Sequence, residues 1–239
     1  MIEEALRYPV LADEGRDRYL ALTGLLLATA IALRVARTLF PNALVFVPLV
    51  IVAFTAVLAI GICVSAFLTP ADRLPGVRSL TRLGTLAGTV AGLTLLVPFA
   101  FLFWTAVTYV DGGAAVDSGG AIFFLLGSTI ALFGFLAATY VLPAVVAQAV
   151  ESSRLRAATD RRAIVGSISE IPYLQGWSVA FALWMIGWWA SIASLEAGSV
   201  NGLLATAVAG YCLLASVRAM GIGYAGGSTA DLGEASPGR

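Results

Sequence analysis

Residues 43–68, 83–110, 121–150 and 177–195 contain no charged side chain. Each run is long enough to cross the hydrocarbon core of a bilayer as a helix, which takes roughly 17–25 mostly apolar residues. They are too long for ordinary strands and lack the apolar–polar alternation of a membrane barrel. Four apolar helices therefore constrain the fold before any other feature is weighed. Composition agrees about the solvent: 59% of the residues are hydrophobic and 12% charged, against about 45–50% and about 25% in a soluble domain. So few charges leave too little polar surface to coat a water-soluble globule.

Two shorter runs, 19–33 and 202–217, stop at Arg34 and Arg218. At 1.5 Å per residue each reaches only about 22 Å. That falls short of the core unless the helices continue and the arginine stems carry their heads to the interface. Charge decides in favour of continuation. Six spans, at about 19–38, 43–68, 83–110, 121–150, 173–196 and 201–224, gather Arg7, Arg16, Arg18, Arg73, Arg78, Arg82, Arg154, Arg156, Arg161, Arg162, Arg218 and Arg239 on one side. Only Arg34 and Arg37 fall opposite, and the loops "DGGAAVDSGG" and "EAGSVNG" there hold acids and no base. This is the positive-inside pattern. The expected fold is an all-α integral membrane protein, a six-transmembrane-helix bundle with both termini cytoplasmic. It forms one domain over residues 1–225, and "GGSTADLGEASPGR" over 226–239 reads as a disordered tail. The start "MIEEALRYP" has no basic region ahead of an apolar core, so a cleavable signal peptide is not expected.

The stretch "SRLRAATDRR" in the longest cytoplasmic loop is accounted for by topology, with anionic lipid headgroups as natural neighbours of Arg154, Arg156, Arg161 and Arg162. A dedicated anionic-ligand site is the sharper and weaker alternative. Asp160 reads as an N-cap, opening a short amphipathic helix at the membrane surface with Ile164, Val165 and Ile168 on one face. Pro172 suits the first turn of the next span.

Within the spans, Gly84, Gly88 and Gly92 recur every four residues and form a small-residue groove of the kind that packs membrane helices, within the chain or as a homo-oligomer seam. Gly202, Thr206 and Gly210 repeat the theme, and Gly88→Leu is expected to disrupt assembly. Trp177, Phe181, Trp184 and Trp188 align along one side of the fifth span, as a lipid-facing or packing stripe. Pro48, Pro98 and Pro143 fall inside apolar runs and are expected to shape the helices.

Chemistry-bearing groups are sparse. The chain has no histidine, the commonest general base and metal ligand; all 14 basic residues are arginine, which stays protonated. Cys63 and Cys212 sit apart in apolar runs and read as small hydrophobes. No Asp or Glu lies at mid-span depth, and no nucleophile–base pair, phosphate-cradling loop or metal-binding cluster is present. Hence no catalytic, cofactor-binding or metal-binding residue is expected, and no enzymatic activity or nucleic-acid partner. Three embedded polar side chains remain as candidates: Arg34, Gln148 and Arg218.

The segment "YVLPAVVAQAVESSRLRAATDRRAI", with its "YxLPA" and "AATD", together with "MIEEALRYP", resembles a haloarchaeal family of multi-pass membrane proteins, domain-of-unknown-function family 4013. The resemblance is strongest over residues 138–183 and the first nine residues; between residues 21 and 135 only the hydropathy pattern corresponds. It implies a helical membrane domain in an archaeal plasma membrane and implies no activity or site residue. The functional expectation is a non-enzymatic scaffold or accessory subunit of the plasma membrane. The alternative is a small permease or transporter component for an apolar or weakly polar solute.

Overall fold

The computed structural model describes residues 2–69, 73–111, 118–153, 159–196 and 199–233. Among them the chain is all-α, with no strand: α1 (Ile2–Leu11), α2 (Asp13–Leu39), a 3-10 turn (Ala43–Val45), α3 (Phe46–Leu68), α4 (Val77–Asp111), α5 (Ser118–Glu151), α6 (Arg161–Ile168), α7 (Ile171–Glu196) and α8 (Ser199–Gly233). Six of these helices, α2, α3, α4, α5, α7 and α8, are long and apolar enough to cross a membrane. The two runs that stopped at arginines are of full length: α2 starts before Tyr19 and continues through Arg34 to Leu39, and α8 runs through Arg218. Large apolar side chains stand exposed along all six, such as Val50, Val97, Ile130, Trp189 and Leu204, as a lipid solvent requires.

The chain divides into two compact units. The first contains Met1–Gly88 and Val165–Arg239, the second Thr89–Ile164. In the first unit α8 is the packing centre, and α1, α2, α3 and α7 all lie against it. Its apolar core joins Tyr8, Leu22, Leu58, Ile62, Ala66, Leu80 and Leu214. Backbones approach closely where glycines permit. A side chain at Gly176 would stand 2.8 Å from the Cα of Gly223 on α8, and one at Gly223 would stand 2.8 Å from the Pro172 carbonyl. A side chain at Gly221 would lie 2.7 Å from the Phe67 carbonyl on α3. These glycines of "GIGYAGG" are therefore contact surfaces. The helix passes through them to Gly233, where the sequence reading ended the span at about 224 and began a disordered tail at 226; residues 234–239 lie outside the described residues.

The glycine series on α4 behaves differently from its expectation. Gly84 seats directly against the Val57 carbonyl of α3, and Gly61 of α3 against the Leu80 carbonyl of α4. A side chain at Gly88 would make only ordinary contact, 3.5 Å from Ile60, and one at Gly92 would meet nothing within 4 Å. A spacing of four residues advances about 400° at 3.6 residues per turn, so the series drifts about 40° per step. Between Gly84 and Gly92 the drift amounts to about 80° around α4. On α8, Gly210 does pack tightly, against the hydroxyl of Thr23 on α2, and Thr206 is buried.

In the second unit, α5 buries the small residues Ala144, Ala147 and Ala149 in its last third and exposes Leu125, Leu126, Ile130 and Phe133 in its first half. Asp160 caps α6: its carboxylate accepts from the backbone N–H of Arg162 at 3.1 Å and of Ala163 at 3.4 Å. Ile164 is buried, Ile168 half-buried and Val165 exposed, so the expected apolar face narrows to two residues. Pro172 falls in the first turn of α7 and Pro48 in the first turn of α3, where a missing N–H breaks no helical bond. Pro98 and Pro143 sit inside α4 and α5.

Candidate functional site

The arginine-rich end of the first unit holds a buried polar cluster. It begins with α1, which the sequence reading did not identify as a helix. Ala5, Tyr8 and Pro9 recur at a spacing of three and four, and all three are buried. The turn into α2 is tight enough that Gly15 lies against the Tyr8 carbonyl, leaving no room for a side chain. Arg18 follows on the face that Gly15 and Leu22 bury.

Arg18 is completely buried. One terminal guanidinium nitrogen donates to the Tyr8 hydroxyl, and the second terminal nitrogen donates to the Thr69 carbonyl at the end of α3, at 2.7 Å. Tyr8 is held from its other side by Arg218 of α8, whose guanidinium lies 5.6 Å from the ring centre, a cation–π contact. Arg218 also pairs with Glu4, and its side chain is only 18% exposed. A further tie comes from Tyr211, whose hydroxyl donates to the Leu6 carbonyl at 2.7 Å; its ring stands edge-on to Tyr19, with centres 6.5 Å apart. The cluster thus joins α1, α2, α3 and α8 through two guanidiniums, two phenols and a carboxylate.

Its chemistry is charge-assisted hydrogen bonding. Such bonds are roughly twice as strong as neutral ones and are stronger still in a low dielectric. They position helices. An arginine that stays protonated offers no proton to exchange.

The structure separates the three candidates named from sequence. Arg218 belongs to this cluster. Arg34 lies 16 positions beyond Arg18 on α2, about 24 Å along the helix, and donates to the Ser194 carbonyl near the end of α7 at 2.7 Å. Gln148 is a half-buried residue of α5 in the second unit, its backbone carbonyl accepting from the Ser152 hydroxyl at 2.7 Å. Of the loop arginines, Arg161 and Arg162 are exposed in the first turn of α6, and Arg154 and Arg156 lie outside the described residues. On α7 the aromatic stripe forms a ladder along its own helix, with centre distances of 5.1 Å for Trp177–Phe181, 6.1 Å for Phe181–Trp184 and 5.9 Å for Trp184–Trp188.

Arg18 is the residue that sequence reasoning missed as a site member, since it was counted only as a marker of topology. The signal was its spacing: Gly15, Arg18 and Leu22 continue one helical face. An open apolar groove of about 540 Å³ was equally unforeseen. It lies between α2 and α3 and is lined by Ala28, Ile31, Ala32, Val35, Leu39, Leu44, Val47, Pro48 and Ile51. No family model, no curated protein and no solved structure matches the chain.

Proposed function

We propose that this chain is a non-enzymatic, six-span protein of the plasma membrane, both termini cytoplasmic, that scaffolds or assists a partner protein. The observation that carries this reading is the use made of its arginines. Arg18 and Arg218 tie α1 to three spans, and Arg34 ties α2 to α7. These embedded charges serve to fix helices in place, as a rigid platform needs. That α2 spans the membrane is supported by the same residues: two arginine layers about 24 Å apart along it suit opposite interfaces of a core about 30 Å thick, while the orientation rests on the unequal distribution of arginines between the loops. Family 4013, which the first nine residues and residues 138–183 resemble, would place the protein in an archaeal plasma membrane.

Cross-linking in native membranes, followed by purification and mass spectrometry, tests the reading. A stoichiometric protein partner is expected; recovery of this chain alone, or only with copies of itself, rejects it. The open apolar groove between α2 and α3 is the feature on which a second reading would rest, a permease component for an apolar solute. That reading requires uptake into liposomes containing the purified chain and its loss in Ile51→Trp, which obstructs the groove.

A further inference from the structure

Helix α1 divides its circumference three ways. At about 100° per residue, Tyr8, Ala5 and Pro9 follow one another around one side, and all three are buried in the first unit. Beyond Pro9 come Ile2, Leu6 and Val10, a stripe at a spacing of four residues that runs about 12 Å along the helix. Ile2 is 52% and Val10 56% exposed, and Leu6 is half-buried. Beyond Tyr8, on the other edge of the docked side, come Glu4, Arg7 and Glu3, all exposed, with Arg7 paired to Glu3 at 2.7 Å. Leu11, where the helix ends, is the exposed apolar residue on this charged side.

Two contacts with α8 fix which way these sides face. Arg218 takes Glu4, on the charged edge of α1. Tyr211, seven positions earlier and so about 10 Å away along α8, donates to the Leu6 carbonyl on the apolar edge, at 2.7 Å. Of the two, Tyr211 lies nearer the middle of the α8 span, Val200–Gly226. Helix α1 therefore lies across α8 with its charged side toward the end of the span and its apolar side toward the middle. Its level is given by Arg18, which bonds Tyr8 from the second turn of α2, immediately before the uncharged stretch 19–33. A helix divided in this way and placed at the edge of a bilayer buries its apolar side about 5–10 Å into the boundary of headgroups and acyl chains.

We infer that α1 is a membrane-surface helix, with Ile2, Leu6 and Val10 immersed among the lipid chains of the adjoining leaflet and Glu3, Glu4 and Arg7 in the headgroup water. The occupant of the stripe is hydrocarbon, because the stripe faces the depth at which the spans' own exposed side chains require lipid, and it offers no polar side chain for a protein partner to recognise. Lipid then holds α1 over Tyr8 and Arg18 from the side that α2 and α8 leave open. The inference uses the membrane embedding of the six helices and is independent of the scaffold reading.

Nitroxide labels test it, placed one at a time at Ile2→Cys, Val10→Cys, Glu3→Cys and Arg7→Cys in the full chain, on a Cys63→Ala/Cys212→Ala background, in phosphatidylcholine vesicles. Collisions with oxygen, which concentrates in hydrocarbon, are compared with collisions with a water-soluble nickel chelate. Oxygen should prevail at positions 2 and 10, and the chelate at positions 3 and 7. The chelate prevailing at all four overturns the inference, since α1 would then stand clear of the bilayer. Exclusion of both reagents at positions 2 and 10 also overturns it, because protein, a second copy of the chain, would then cover the stripe. Amide hydrogen exchange of α1 in the same vesicles supplies a reading without labels. Ile2→Ser/Val10→Ser leaves helix propensity nearly unchanged and should speed that exchange on the order of tenfold, as two aliphatic chains are lost from the lipid. Glu3→Gln/Arg7→Gln removes an exposed pair and should change it by no more than about twofold. Equal effects of the two double variants overturn the inference as well.

Discussion

A guanidinium removed from water loses several kcal/mol of solvation unless acceptors surround it. Arg18 has such acceptors in the Tyr8 hydroxyl and the Thr69 carbonyl, so the stability of this end of the unit rests on them. Tyr8→Phe deletes one acceptor inside the cluster and should destabilise the protein by about 1–3 kcal/mol, read as a lower Tm in detergent. Glu4→Gln touches a pair whose acid is more than half exposed and should change stability by less than about 1 kcal/mol. Equal effects would mean that burial does not set the ranking. Thr23 presents the opposite case. Its hydroxyl is buried beside Gly210 and has no hydrogen-bond partner among the described residues. Thr23→Val keeps the shape and removes a polar atom that nothing satisfies. Its Tm should be unchanged or higher, and a clear fall would show that the hydroxyl has a partner in solution.

Helices obey the same accounting over longer distances. Gly84→Ala forces a methyl group into the Val57 carbonyl of α3, and overpacking of that kind costs about 1–3 kcal/mol. Gly92→Ala meets open space and should be neutral or mildly stabilising, since alanine is the better helix former. Gly88→Leu, the substitution first picked out by the repeat, should fall between them. If Gly92→Ala and Gly84→Ala lower Tm equally, the drift of the series around α4 is not what separates them. The elements differ in how plainly the sequence announced them. Spans α3, α4, α5 and α7 were legible because hydropathy alone produces them. Asp160 was legible as a cap because a cap is a local interaction. Helix α1 was not, because its ten residues mix acids, an arginine and a proline and become helical by docking Tyr8 and Ala5 on neighbours far along the chain. The α4 glycines were misjudged for a related reason: a repeat specifies spacing, while the partner's position decides which members touch it. The candidate site was half legible, through Arg218, and its other half depended on tertiary contacts of Arg18.

At the scale of the whole chain, the prediction concerns sidedness. With both termini cytoplasmic, a cysteine at Asn42, in the connection between α2 and α3, should react with a membrane-impermeant maleimide on intact cells. One at Ser169, between α6 and α7, should react only after permeabilisation. Both native cysteines lie within spans, Cys212 buried and Cys63 partly so, which keeps the background low. The reverse pattern would invert the proposed orientation, and labelling of both positions from outside would break the six-span count.

The helix on which the first unit is built is synthesised after every helix that packs on it. In α8, 44% of the apolar window is buried, against 17–22% in each of the other five spans, and the contacts of α1, α2, α3 and α7 converge on it. A nascent chain that has emerged only as far as α7 therefore holds several spans in the bilayer with their mutual anchor still inside the ribosome. Until it arrives, Arg18 and Tyr8 lack the helix that completes their cluster, and α1 rests on α2 without α8 to hold it. Assembly is thereby timed by translation: α1 is locked only when Arg218 comes to rest beside Glu4. A nonsense change ahead of residue 199 should leave spans that insert, with α2 and α3 still paired but the unit unclosed, material for membrane proteases rather than a smaller working protein.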